Sequence, residues 1–486
     1  MTALMQFVVI KIYPIRKMKS IKIYLLPIIL AATTTIATAQ QHMVDTMKME
    51  HMDHHMHHAA MKMTGMPVDT MPQHRAVMSS QYSIDLPMNR DGSGTSWVPD
   101  SSPMYAYMKH GKRWMSMLHF NQFIRYNAQD VFKQGSRGGN HFDAPNMIMG
   151  MTQTQVGKNG LFGINAMLSF DPFLVGNHGY PLEFQTGEAY KGNKLVDRQH
   201  PHDLFAQLAL SYTQHLADNL DAFVSAGYPS EPALGPPVFM HRLSGMSNPD
   251  APLTHHYADA THVTFGVATL GFRYKDFKIE GSTFTGREPD EHRYDFDKPR
   301  FDSYSVRLSY NPSNNWALQV SNGWIHSPEE LEPDHNVIRT TASVMNVTPY
   351  TDDSYLATTL VYGQNHISNH GETLPSVLLE STLQLSKTAV YGRFEYVKKN
   401  ADELDLLAML PTNPDLNINA LTLGTNRIIF NFKNTDVRAG IQGTLNVSPT
   451  QVRSLYGTAP MAVEVYMRIS PSLMTMGGHK HPKMVM

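Results

Sequence analysis

Asp436-Val437-Arg438-Ala439-Gly440-Ile441-Gln442-Gly443-Thr444-Leu445-Asn446-Val447 alternates without a break. Val437, Ala439, Ile441, Gly443, Leu445 and Val447 fall on one side of an extended chain. Arg438, Gly440, Gln442, Thr444 and Asn446 fall on the other, because successive strand side chains point to opposite faces. A strand of this length is roughly twice the ~5–6 residues common in soluble sheets and suits the ~9–11 residues that a tilted strand needs to cross a bilayer. One apolar and one polar face at that length fit a barrel with lipid outside and a polar lumen inside.

The same pattern extends in both directions. Tyr304, Val306, Leu308 and Tyr310 alternate with Ser303, Ser305, Arg307 and Ser309, and Val463, Val465, Met467 and Ile469 alternate around Glu464 and Arg468. Segments of this kind begin near Lys112, Pro145, Leu161, Asp203, Asn219, Thr261, Asp276, Phe301, Asn314, Ser354, Ser376, Ala389, Ala420, Thr435 and Met461, and Ile338 to Val347 supplies a further candidate. Bacterial barrels favour even strand numbers. The expected fold is therefore all-β: a transmembrane antiparallel β-barrel of about 14 to 16 strands over residues 112–470. Turn signals such as Asn311-Pro312-Ser313-Asn314 and Tyr274-Lys275-Asp276 sit where short periplasmic hairpins are expected.

Composition narrows the chemistry. The chain has 486 residues, with 40 Lys+Arg against 42 Asp+Glu, so no excess of positive charge recommends a nucleic-acid partner. The absence of Cys removes disulfide frameworks, thiol catalysis and cysteine metal sites, while 32 Met and 25 His leave thioether and imidazole as the available metal ligands.

Residues 1–39 read as a signal peptide. Lys19 and Lys22 precede the apolar run Tyr24 to Leu30, and Ala37-Thr38-Ala39 forms a small-residue cleavage site; Met18 is an alternative start. Export to the outer membrane of a Gram-negative bacterium is expected. Residues 40–78 then form a Met/His-rich arm, with seven His and ten Met among the 37 residues from His42 to Met78, and no Phe, Trp, Tyr, Leu or Ile. Such a segment cannot build a core and is expected to be disordered. Its candidate metal ligands are Met49, His51, Met52, His54, His55, Met56, His57, His58, Met61, Met63 and Met66. Soft thioethers suit Cu(I) and Ag(I), and imidazole suits either copper oxidation state. Residues 79–111 read as a linker and 471–486 as a tail with a smaller Met/His echo; the whole stretch between the cleavage site and the first strand region is too short, and largely too low in complexity, for a folded plug.

Two long connections carry further histidines. Asp171 to His202 ends in Asp197-Arg198-Gln199-His200-Pro201-His202, followed by Asp203, and Pro229 to His262 holds His241, His255, His256 and Asp259. If both loops fold inward, His200, His202, Asp203, His241, His255, His256 and Asp259 converge on a lumenal metal site; otherwise they order the loops by hydrogen bonds. The connection Gly286 to Asp302 has balanced charges and reads as a salt-bridged loop.

A signal, then the stretch Met49 to Met66, then a β-barrel resembles the layout of the copper-resistance outer-membrane proteins of the B type. Lys194 to Asp203, Phe239 to Arg242 and Leu253 to His256 look more like a group of uncharacterised exported barrel proteins associated with heavy-metal loci. These resemblances imply an outer-membrane location and a copper or silver connection, but no mechanism. The chain departs from many bacterial barrels in ending at Met486 rather than at a terminal aromatic residue.

Three function classes follow. The first is a copper- or silver-handling barrel in contact with outer-membrane lipid, its arm binding copper ion in the periplasm and a periplasmic copper oxidase or metal carrier as a natural partner. The second is a general porin or solute channel with an incidental tail. An outer-membrane enzyme is not expected, since neither Gly-x-Ser-x-Gly nor His-Glu-x-x-His occurs.

Overall fold

The computed structural model describes residues 78–369 and 371–474. The signal segment, the arm ligands from Met49 to Met66 and residues 475–486 of the tail lie outside the described residues.

The strands in chain order are β1 (Tyr107–His110), β2 (Trp114–Ala128), β3 (Asn140–Asp143), β4 (Asn146–Val156), β5 (Gly160–Leu168), β6 (Tyr180–Tyr190), β7 (Asn193–Gln199), β8 (Phe205–Ala217), β9 (Leu220–Gly227) and β10 (Val267–Tyr274). They continue as β11 (Phe277–Phe284), β12 (Ser303–Ser313), β13 (Trp316–Ile325), β14 (Val337–Thr351), β15 (Ser354–Ile367), β16 (Glu372–Leu385), β17 (Thr388–Asn400), β18 (Asp415–Phe432), β19 (Thr435–Val447) and β20 (Met461–Pro471). Eighteen of these share one sheet, and sixteen of them, all but β1 and β3, run round a closed antiparallel cylinder. The last strand returns to the first, with Gln122–Ala128 paired against Val463–Ile469. Closure pairs the backbone within the sheet, which is what allows strands to lie in hydrocarbon.

These are the strands read from the sequence, and the candidate at Ile338 becomes β14. Three boundaries differ: β10 starts at Val267 rather than near Thr261, because Thr261 and His262 close a 3-10 turn in the preceding loop, while β16 and β18 start earlier than Ser376 and Ala420, at Glu372 and Asp415. Short turns join the strands at one end. At Lys433 and Asn434, φ values of 47° and 63° give the left-handed pair that a two-residue hairpin requires. The other end carries the long connections, the longest being residues 228–266.

Outward positions are apolar. Leu210, Val224, Leu270, Ile279, Val306, Val320, Leu360, Leu379, Leu421, Ile441 and Val465 are all exposed. Aromatic pairs mark the rims: Phe277 stacks on Tyr310 at 4.1 Å near the short turns, and Tyr304 on Trp324 at 5.2 Å near the long loops. An apolar band between aromatic girdles is the surface of a transmembrane barrel.

The lumen is filled by residues 79–106 and by the loop 228–266, with the β6/β7 hairpin beside them, where Asn127 of β2 donates to the Pro181 carbonyl at 2.9 Å and Lys399 of β17 to Thr186 Oγ1 at 2.6 Å. Residues 79–106, expected to be a linker, instead form a floor at the short-turn end. Gln153 of β4 donates to the Ser79 carbonyl at 2.9 Å, Thr213 of β8 to the Gln81 carbonyl at 2.7 Å, Arg307 of β12 to Thr95 Oγ1 at 2.8 Å, and Asn311 to the Val98 carbonyl at 2.9 Å. The segment has too little apolar side chain to fold alone, but inward-facing polar side chains of the wall supply the partners that its backbone needs. Residues 79–106 are thus tied to the wall rather than spanning free between arm and barrel.

The long loop 228–266 enters from the other end. Arg242 donates to Glu380 on the wall at 2.7 Å and to Asp259 of its own loop at 2.6 Å, while Asp250 accepts from Arg125 at 2.6 Å. Arg125 also donates to Asp143 at 2.7 Å and Glu464 at 2.9 Å, so one guanidinium joins β2, β3, β20 and the inward loop. Such buried charges are held only when paired and hydrogen-bonded.

Candidate metal centre

His200 and His202 flank Pro201 directly after β7, and the β6/β7 hairpin sets their place. His255 and His256 occupy the single helical turn His255–Ala258, and His262 ends the 3-10 turn Ala260–His262. Adjacent helical residues diverge by about 100°, so His255 and His256 reach the site from different sides. Gly187 makes room for the second of them: a Cβ there, at φ 124°, would lie 2.2 Å from the His256 ring.

Five imidazoles meet here. Ring centroids are 5.4 Å apart for His200 and His256, 5.2 Å for His255 and His256, 5.1 Å for His255 and His262, and 5.2 Å for His202 and His262. Candidate ligand atoms of His200, His255 and His256 lie within 4.8 Å of one another.

Hydrogen-bond partners assign the protons. His200 Nδ1 lies 2.9 Å from Glu188 Oε1, His202 Nδ1 2.9 Å from Asp171 Oδ2, His255 Nδ1 2.6 Å from Asp259 Oδ1, and His262 Nδ1 3.0 Å from the Asp259 carbonyl. Each partner only accepts, so each Nδ1 carries the hydrogen and each Nε2 presents a lone pair. His255 and His256 Nε2 are buried without a hydrogen-bonding partner among the described residues. His202 Nε2 and His262 Nε2 face each other at 3.1 Å. Two lone pairs at that separation are favourable only with a proton or a cation between them, and nitrogens each ~2.0–2.1 Å from a tetrahedral ion sit about 3.3 Å apart.

Burial favours the neutral form of His255, His256 and His262. Burial pushes His256 well below the ordinary histidine value, helped by His255 and His200, and does the same to His262; for His255 burial prevails over the attraction of Asp259. Burial opposes ionisation of Glu188, but Arg293 and His200 hold it down to about 2. Burial raises Asp203 to about 7 against the pull of Arg293, and raises Glu288 to about 8, reinforced by Glu188 and Glu329.

The seven loop residues singled out in the sequence therefore separate into roles. His200, His202, His255 and His256 come together. Asp259 stands behind His255, and Asp203 is tied to Arg293 at 3.1 Å. His241 is elsewhere, its ring 5.8 Å from that of His119. His262, Asp171 and Glu188 complete the cluster without having been assigned to it from sequence. His262 was visible in the same loop; the two carboxylates gave no signal, since their role depends on strand and loop placement. In the loop Gly286 to Asp302, the ion pairs of Arg293 run outward to Glu188 and Asp203 rather than within the loop.

No protein-family model matches the chain, and no curated protein matches it. Among solved structures it is similar to in-vitro folded OmpT of Vibrio cholerae, with 8% identity, 73% of this chain and 99% of that one covered, and a TM-score of 0.41. It is also similar to an anion-selective porin from Comamonas acidovorans, with 9% identity, 73% and 99% coverage and a TM-score of 0.40. The class of the protein rests on its own strand pairing and surface: a sixteen-stranded transmembrane β-barrel of the outer-membrane type. Within that class it is a barrel with a filled lumen and a buried polyhistidine cluster.

Proposed function

We propose that this protein is an outer-membrane barrel that handles copper or silver ions and holds a copper ion at the lumenal histidine cluster. The observation that carries this reading is the shared orientation of His200, His202, His255 and His262, each with Nδ1 committed to an acceptor and Nε2 left as a ligand. Imidazoles whose Nδ1 is held by a carboxylate or carbonyl oxygen suit Cu(II) and Cu(I) alike. In this reading the arm residues Met49 to Met66 capture ions in the periplasm, and a periplasmic oxidase or carrier exchanges ions with them. No catalytic role is assigned.

The test is titration of the full-length, detergent-solubilised protein with Cu(II), followed by electron paramagnetic resonance. The double variant His255→Ala/His256→Ala is expected to lose one copper equivalent with multiple nitrogen couplings and to keep the rest. An unchanged stoichiometry and spectrum would sink the lumenal site.

A second reading, a solute channel, is favoured by the polar wall. Arg307, Arg393, Glu395, Arg438, Glu464 and Arg468 all face inward and are buried. Sugar-permeability measurements on proteoliposomes separate the two: rapid uptake by the intact protein supports the channel.

A further inference from the structure

We infer that the cavity between the floor and the inward loop is a second lumenal site, one for a monovalent soft cation such as Cu(I) or Ag(I). It rests on the copper reading for its physiological meaning only, because its residues are different from those of the histidine cluster.

The cavity is about 140 Å³. Its wall is a thioether ladder on two adjacent strands: Met117 of β2 is paired with Met151 of β4, and His119 with Met149. These are inward positions, and elsewhere the inward face carries Arg125, Glu280, Arg307 and Arg393. Apolar packing of an insertion does not by itself call for methionine. Where the inward loop meets the wall at Leu234, the partners are Val267, Phe284, Ile325 and Val337. Sulfur at successive inward positions, facing Met240 and His241 from the loop, is instead the donor set of a soft ion.

The two histidines are prepared for the same task. His119 Nδ1 lies 2.7 Å from the Tyr105 carbonyl, which fixes the hydrogen on Nδ1 and leaves Nε2 as a ligand. His241 Nε2 is buried and has no hydrogen-bonding partner among the described residues.

The cavity also adjoins the histidine cluster. Met240 and Met246 line it on one side, and on the other they line a smaller cavity shared with His200 and His202. Soft donors therefore extend from the imidazole cluster toward the floor, in the direction of the short turns.

The experiment has two arms, both on the full chain. Crystals soaked in Ag(I) are expected to show an anomalous peak in this cavity, within bonding reach of His119 or His241 and of Met149 or Met151. In parallel, calorimetric titration with Ag(I) compares the wild type with Met117→Leu/Met149→Leu/Met151→Leu, a volume-conserving change that preserves packing. The triple variant is expected to lose one Ag(I) equivalent and keep its Cu(II) spectrum, whereas His255→Ala/His256→Ala keeps that Ag(I) equivalent. An empty cavity, or equal Ag(I) counts in wild type and triple variant, overturns the proposal. Loss of the Cu(II) signal in the histidine variant reports separately on the cluster.

Discussion

Glu231 is a buried carboxyl of the inward loop, and the side chain lies against Gly94 of the floor. Burial raises it to about 8, opposed by Arg307 and by a hydrogen bond from Ser93, while Asp259 and Glu280 push in the same direction as burial. The folded protein therefore keeps a proton between pH 4.5 and 8 that the unfolded chain has released. The stability it contributes is full below the unfolded value and is lost as pH rises toward the folded one, on the order of a few kcal/mol. Glu329, raised to about 7 by burial and by Glu332, acts in the same direction. Limited proteolysis of the inward loop is expected to accelerate from pH 5 to pH 9, and Glu231→Gln to flatten that profile; an identical profile in the variant would remove Glu231 from the account. At this scale the sequence showed the candidate ligands but not their meeting. His200 and His255 are far apart in the chain, and only loop folding joins them. The alternation Met115, Met117, His119 and Met147, Met149, Met151 was legible as period two, yet whether sulfur faced lipid or lumen depended on register, which the sequence pattern alone left open.

Among the elements, the strands were legible and the insertions were not. A lipid-facing strand announces itself because every second residue must be apolar, whereas the floor has no periodicity. It is held by wall groups such as Arg307 and Asn311 that are distant in sequence. Lys278 shows how closely the two depend on each other: its ammonium lies 3.3 Å from Glu280 and 4.7 Å from the centroid of the Trp97 ring. Excision of residues 79–106 removes the floor but no barrel strand. The shortened protein is expected to insert and to remain heat-modifiable on gels, with single-channel conductance in planar bilayers rising about tenfold or more, since sixteen-stranded barrels without such fillings leave an aqueous channel. Conductance equal to that of the intact protein would mean that the inward loop alone closes the lumen.

For the molecule as a whole, the inside-out distribution of polarity is the governing fact, and it was readable from Asp436 to Val447 onward. Leu270 lies midway along β10, opposite Val224 and Gly281, and is exposed on the outer surface. Leu270→Arg is expected to destabilise the barrel by about 2–4 kcal/mol in denaturant unfolding from lipid vesicles, against about 0–1 kcal/mol for Trp316→Arg at the rim. Equal effects at the two positions would contradict a bilayer centred on this band.

The seam between β2 and β20 covers only Gln122 to Ala128, and Met115 to Leu118 of β2, toward the short turns, pair with β1 instead. Arg125 sits in that seam and binds Glu464 across it while also holding Asp250 of the inward loop. The joined ends of the sheet and the seated loop therefore share one guanidinium, and the same closed arrangement brings the His241 ring to 5.8 Å from that of His119. The chamber is enclosed only by the closed sheet: a chain with its first and last strands apart has the same residues but not the enclosure.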